Sequence, residues 1–362
     1  MIEAKAYSFI YLLLVSIYSI IIFAEYSRKR DANAVVYNAK SIGKLPIFIA
    51  FLIIFIGFRP ESYAFVDMKN YVAAYHTFYE NVPFEWDWTA ENFILDNFLA
   101  YVGSQNLGTT FFFVVLAAIY FGCAYWGIRR LFPRDTTIAY LTFLGAFSTF
   151  SYATNGVKAG TAASLFILAI SYYRKWIICV PLLVIAWGFH HSMVMPIAAF
   201  VLAMFVKNPK LFFWGWLFCL VCAIAHVSYF QQLFASFADE KGASYLNSTN
   251  SNWGGKSGFR LDFVLYSAMP VLMGYYAIYK HKIKSKTYDI LIKIYLATNG
   301  IWMLCMYAEF TNRIAYLSWV IFPLVLIYPV LDISWGNRCY KTVAKVFIAH
   351  LAFTLFMEIL YY

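Results

Sequence analysis

The sequence predicts an all-α protein, a polytopic bundle of about ten to twelve transmembrane helices. Three observations predict this. Hydrophobic residues make up 62% of the 362 residues and charged residues 13%, with a mean hydropathy of +0.65, outside the range of soluble domains. Apolar stretches recur from one end to the other and leave no room for a soluble appendage the size of a domain. Basic residues gather in alternate connections, which the positive-inside rule ties to the cytoplasmic face.

Taken in order, the first apolar run, 7–24, is too long for a signal-peptide core and is followed by Arg28, Lys29 and Arg30. It therefore reads as a first span rather than a cleaved leader. Further spans are centred on 45–58, 110–128, 137–153, 160–173, 176–189, 192–206, 211–228, 261–279, 289–307, 314–331 and 343–360. Runs 45–58, 160–173 and 176–189 are short, so they tilt, re-enter or extend through interfacial residues. The clusters Arg129-Arg130, Arg174-Lys175, Lys207 with Lys210, Lys280 to Lys286, and Arg338 with Lys341 then share one side with Arg28 to Arg30. Both termini fall on the other side. No internal repeat is visible, and 1–362 reads as a single transmembrane domain.

Two outer loops are long. Loop 59–109 contains Glu85-Trp86-Asp87-Trp88, and from Thr89 to Leu107 it sets Phe93, Ile94, Phe98, Leu99 and Val102 at helical spacing. That pattern predicts an amphipathic helix lying on the membrane surface. Loop 228–260 is rich in Ser, Asn and Gly around Tyr245 to Gly258, and is either a lid over a substrate site or a plain connection.

The net charge of +10 is a matter of topology, not a sign of nucleic-acid binding. Twenty bases and five acids fall inside, against eight bases and thirteen acids outside. The 30 Tyr and 36 Phe suit interfacial belts, with sugar stacking as the alternative. Cys123, Cys179, Cys219, Cys222 and Cys305 lie in apolar segments and Cys339 in a cytoplasmic loop, so the six cysteines suggest no disulfide framework. Cys219 and Cys222 have CxxC spacing, but the continuously apolar run from Trp214 to Ala225 offers no second ligand pair. No metal or cofactor is expected.

The positive-inside rule does not account for the eight outer bases: Lys5, Arg59, Lys69, Lys158, Lys241, Lys256, Arg260 and Arg313. Several of them stand at predicted helix ends inside an acidic outer surface. Gly57-Phe58-Arg59-Pro60 is followed by Asp67, Asn70 and Tyr71. A guanidinium there either binds phosphate oxygens through its fork or snorkels to lipid headgroups. Asn155-Gly156-Val157-Lys158-Ala159 reads as a tight outer turn carrying one cation, and Phe189-His190-His191-Ser192 as a junction with two titratable rings. Glu309 to Arg313, and Arg260 with Asp262, complete five such junctions. Charges at this depth tend to face a bundle interior or a wet cavity. Their convergence predicts an outward-open cavity for an anionic, membrane-bound substrate, lined by Arg59, Lys158, His190, His191, Arg260 and Arg313.

The order Gly-Phe-Arg, then Asp67 and Tyr71, then Glu91 ahead of a surface helix, then Asn155 to Lys158, then Phe-His-x-Ser, then Arg313, resembles the EpsG/Wzy-type polysaccharide polymerases. The resemblance spans roughly residues 45 to 330. The chain departs from the family in having Lys158-Ala159 where Arg-Gln is usual, which keeps the charge and loses the forked geometry. The resemblance implies a GT-C-like, metal-independent glycosyltransferase of the bacterial inner membrane. Such an enzyme joins undecaprenyl-diphosphate-linked repeat units on the periplasmic face for capsule, O-antigen or exopolysaccharide, with a chain-length regulator as partner. On that reading Arg59, Arg260 and Arg313, assisted by Lys158, meet the diphosphate, and Tyr71 and Asn155 contact substrate. The general base is His190, His191, Asp67 or Glu91, with His190 matching Phe-His-x-Ser. Asp67 pairing with Arg59 or Lys69, and Glu91 as a solvated residue, remain the structural alternatives.

Other classes share some of these features. A transporter or flippase of lipid-linked oligosaccharide would bind the same ligand, but calls for pseudo-symmetric halves and deeper charges. A membrane sugar acyltransferase would suit an outer His but calls for a cytoplasmic donor pocket. The triplet Asn247-Ser248-Thr249 would suit a eukaryotic secretory membrane.

Overall fold

The computed structural model describes residues 2–28, 44–227, 229–235, 258–308, 311–333 and 339–361. Among them all regular structure is helical. Five helices are long and apolar enough to cross a membrane: Ala4–Ala24, Gly108–Leu131, Leu261–Lys280, Thr311–Asp332 and Lys341–Ile359. Five shorter apolar helices accompany them, at Lys44–Gly57, Val157–Ser171, Trp176–Phe189, His191–Phe205 and Pro209–Ile224. The chain is a multi-pass helical membrane protein. Lys29, Arg30, Lys241, Lys256, the triplet at 247–249, Glu309, Phe310, Arg338 and most of loop 228–260 lie outside the described residues.

The chain forms two compact units, one of Met1–Val194 with Ser334–Tyr362 and one of Met195–Ile333. Unit 1 begins with α1 (Tyr7–Arg28), α2 (Lys44–Gly57), α3 (Met68–Ala74), α4 (Phe93–Ser104) and α5 (Gly108–Leu131). It continues through α6 (Thr136–Leu144), α7 (Phe147–Thr154), α8 (Val157–Ser171) and α9 (Trp176–Phe189). Its spine is α5 packed along α8, with α2 against α5 and α9 against α8. Helix α4 falls within the stretch expected to be amphipathic. It buries Leu95, Leu99 and Val102 and packs on α9. A Cβ on Gly57 would lie 2.8 Å from the Val114 Cα, so the backbones of α2 and α5 touch at the point where α2 ends.

In unit 2, α10 (Val194–Phe205), α11 (Pro209–Ile224), α12 (Tyr229–Ala235) and α13 (Leu261–Tyr275) are followed by α14 (Lys286–Leu304), α15 (Thr311–Trp319) and α16 (Phe322–Asp332). The last helix, α17 (Cys339–Tyr361), returns to unit 1 and packs against α1, α6 and α7.

The expected continuous span at 137–153 is two short helices, α6 and α7, separated at Gly145 and Ala146. A break frees carbonyls that hydrocarbon cannot solvate. Here each finds a donor. The Tyr11 hydroxyl donates to Leu144 O at 2.8 Å, Thr354 Oγ1 to Gly145 O at 2.7 Å, and Thr149 Oγ1 to Phe143 O at 2.5 Å. His350 Nε2 lies 3.1 Å from Thr142 O, which makes that nitrogen the protonated one. Donors from α1, α7 and α17 therefore hold the break open.

In unit 2 the parallel pair α11 and α14 meets around Asn299. Its Oδ1 accepts from Trp216 Nε1 at 2.8 Å, and its Nδ2 donates to Ser267 Oγ and Ser318 Oγ, each at 3.1 Å. Trp319 Nε1 donates to the same Ser267 Oγ at 2.9 Å. One buried amide thus ties α11, α13, α14 and α15 together. Asn299→Ala strands the Trp216 N–H and is expected to destabilise the fold by about 1–3 kcal/mol, readable as a lowered thermal midpoint in detergent. Sidedness is checked in a cysteine-free background with a membrane-impermeant thiol reagent. Cysteine at exposed Tyr63 or Trp88 is expected to label in intact cells, and cysteine at Arg129 or Lys175 only after permeabilisation.

Candidate active site

Five junctions of unit 1 carry the polar residues that the sequence assigns to outer loops: the end of α2, the start of α4, the Gly108 turn, the α7–α8 turn and the segment after α9. Arg59 follows α2 and is only 4% exposed. Its Nη1 donates to Ile56 O at 2.8 Å and its Nη2 to Thr154 O at 3.2 Å, so it bridges α2 to the end of α7. The guanidinium carbon lies 4.6 Å from the centre of the Phe113 ring and 5.4 Å from that of Phe65. Tyr71 packs edge-on against the same Phe113 ring at 6.3 Å. Burial pulls the Arg59 pKa down to about 10, still well above neutrality, so the charge persists. No carboxylate pairs with it among the described residues, and its Nε has no partner. The one glutamate nearby in sequence, Glu61, accepts instead from Thr109 Oγ1.

The Thr154 carbonyl that Arg59 holds leads directly into Asn155, whose buried Oδ1 has no partner, and then to Lys158 in the first turn of α8. Lys158 is half-buried, with no acidic partner among the described residues. Asp67 immediately precedes α3, and its carbonyl accepts from Asn70 N at 3.1 Å.

The histidines come next in the build. His190 ends α9 in extended conformation, and His191 opens a short 3-10 turn that packs against α8. Both are held by the residues that start α4. The His191 backbone N–H donates to Asn92 Oδ1 at 3.3 Å, which identifies that atom as the oxygen. His190 Nδ1 lies 3.3 Å from the same oxygen and must donate to it. The neutral ring therefore carries its proton on Nδ1 and its lone pair on Nε2. His191 Nδ1 lies 3.0 Å from Glu91 Oε1. Asn92 thus holds both adjacent histidines of the helix junction, with Glu91 at ion-pair distance from the second.

The loop is stiffened to do this. Asp87 N donates to Asn97 Oδ1 at 2.8 Å, while Asn97 Nδ2 donates to Asp87 O at 2.7 Å and to Phe93 O at 2.6 Å. Thr89 donates to Asp87 Oδ1 through both N and Oγ1, which lowers the Asp87 pKa. Gly188 lets α4 and α9 meet: a Cβ there would lie 2.6 Å from Ile94 Cδ1 and 2.7 Å from Phe93 Cζ.

The sequence profile of the EpsG family matches residues 44–362. The chain belongs to the EpsG family. No curated protein and no solved structure matches it. Membership points this EpsG-family chain to polymerase-type work on polysaccharide, and the match covers every site candidate identified in the sequence.

The structure joins Arg59 to Thr154, just ahead of the Asn155–Lys158 turn, and brings Glu91 to His191. Asn92 was missed; its only sequence signal is its place next to Glu91, ahead of α4. Arg260 and Arg313 belong to unit 2. The Arg260 Nε and Nη2 donate to the two oxygens of Asp262 at 3.0 and 2.6 Å, so its charge is already neutralised. Arg313 sits exposed in the first turn of α15. Among the described residues no group of three or more His, Cys, Asp or Glu is placed to hold a metal ion. In this EpsG-family chain, nitrogen NMR of histidine-labelled protein is expected to find neutral His190 protonated at Nδ1. Asn92→Ala is expected to move that proton towards Nε2.

Proposed function

We propose that this chain is a glycosyltransferase that joins glycan repeat units carried on undecaprenyl diphosphate, acting on the outer face of a bacterial inner membrane. The observation that carries the reading is Arg59, a buried guanidinium with no counter-anion among the described residues. An uncompensated buried charge is strongly destabilising, and a diphosphate seated at the adjacent Thr154–Lys158 turn would offset it through its field. Family membership and the histidine pair at the junction after α9 support the same chemistry.

The reaction asks for two things. A base must take the proton from the acceptor sugar hydroxyl as its oxygen attacks the anomeric carbon of the donor. The bond from that carbon to the lipid diphosphate then breaks, and the leaving group departs with its electron pair. His190 is assigned the first role, its proton held on Nδ1 by Asn92. Glu91 beside His191 stabilises positive charge that collects on the pair. Lys158 meets the developing charge on the diphosphate at close range, and Arg59 contributes field from behind the Thr154–Lys158 turn. Asp67 and Tyr71 lie on the Arg59 side and are assigned to substrate positioning.

The test is a deletion strain complemented with wild type or variants at matched protein levels. His190→Ala is expected to lower polymer formation about 10²- to 10⁴-fold. Arg59→Gln and Lys158→Ala are expected to leave single repeats on the outer-facing lipid. Repeats trapped on the cytoplasmic face would identify a flippase instead, and an unaltered glycan ladder in the deletion strain would overturn the reading.

A further inference from the structure

One end of unit 2 holds a crevice that the proposed reaction does not use. Its volume is about 350 Å³, and its lining includes Lys207, Lys284, Lys286, Asp289, Ile278 and Ile283. Lys207 comes from the connection before α11, Lys284 from the connection before α14, and Lys286 from the first position of α14. Among the described residues Asp289 is the only acidic one lining the crevice, and its carboxylate is already engaged. Its Oδ2 lies 2.8 Å from Lys293 Nζ and 3.4 Å from Lys286 Nζ. Lys293 has no exposed side-chain surface and also donates to Val206 O at 2.9 Å and Lys207 O at 3.2 Å. These bonds fasten the connection before α11 onto α14 and hold Lys207 at the mouth. Lys207 and Lys284 have no acidic partner among the described residues.

The backbone adds charge of the same sign. Helices α11 and α14 run parallel, so the positive ends of both dipoles point to this end. Asn208 Oδ1 caps Lys210 N at 3.0 Å, and Ser285 Oγ caps Tyr288 N at 3.2 Å. Tyr288 also lines the crevice, and its buried hydroxyl has no partner. Like charges gathered around one void repel unless an anion sits among them. Ile278 and Ile283 supply an apolar wall, which a free phosphate does not need and a lipid does. We propose that this crevice binds the phosphate headgroup of an anionic membrane lipid, with Lys207 and Lys284 as its counter-charges.

The test is native mass spectrometry of the full chain released from detergent, with phosphatidylglycerol, phosphatidylcholine and inorganic phosphate as probes. Wild type is expected to retain phosphatidylglycerol and to release phosphatidylcholine. Lys207→Gln with Lys284→Gln, both at exposed positions that spare the fold, is expected to weaken retention about tenfold. Arg129→Gln with Lys175→Gln removes the same charge from unit 1 and is expected to leave retention unchanged. Displacement of the lipid by millimolar inorganic phosphate would assign the crevice to a free anion, overturning the lipid as ligand. Equal retention by wild type and the crevice variant would overturn the site itself.

Discussion

Polar atoms in this bundle have little water to turn to, so protein groups must take them up, and the architecture follows from how that is done. The break between α6 and α7 shows the constraint at its most local. Four successive carbonyls, of Thr142, Phe143, Leu144 and Gly145, lose or weaken their helical partners and are met by His350, Thr149, Tyr11 and Thr354. Three of those donors come from the first and last helices of the chain, so the break also anchors α1 and α17 in unit 1. An unmet carbonyl in hydrocarbon costs several kcal/mol, which makes these donors a condition for the break rather than an ornament of it. The amide of Asn299 does the equivalent work in unit 2 by taking the indole N–H of Trp216 and donating to two serines.

The same constraint sorts the charged residues by use. Arg260 and Lys293 are neutralised within the fold, by Asp262 and Asp289. Arg59 is more deeply buried than Arg260, yet it is answered only by two carbonyls and two aromatic faces. Carbonyl dipoles and ring quadrupoles soften the desolvation of a guanidinium without cancelling its charge. That residual charge lies at the end of the turn that presents Lys158, which is why the proposed function sets an anionic leaving group there.

Placement of the histidines depends on close packing as much as on polarity. Gly188 allows α4 to approach α9, and the Asp87–Asn97 bonds fix the loop that delivers Glu91 and Asn92. The result is a ring whose tautomer is set from a residue 98 positions away in sequence. In the proposed reaction, a base held this way would spend little freedom on reaching its working orientation, the usual benefit of a preorganised site.

Hydropathy and the distribution of Lys and Arg were enough to determine the class of the protein and the place of most of its apolar helices, because these are local properties of short windows. The order of Arg59, Asn155 to Lys158 and Phe189-His190-His191 along the chain was likewise legible, and it led to the right family. The break at Gly145 was not, since Gly, Ser and Thr also occur within unbroken membrane helices, and the donors that permit it lie at positions 11, 350 and 354. Neither was the role of Asn92, nor the bond from Arg59 to the Thr154 carbonyl 95 positions away. Tertiary structure decided these because hydrogen bonds and ion pairs depend on distances of about 3 Å between side chains, and no window of sequence records which distant groups will be brought that close.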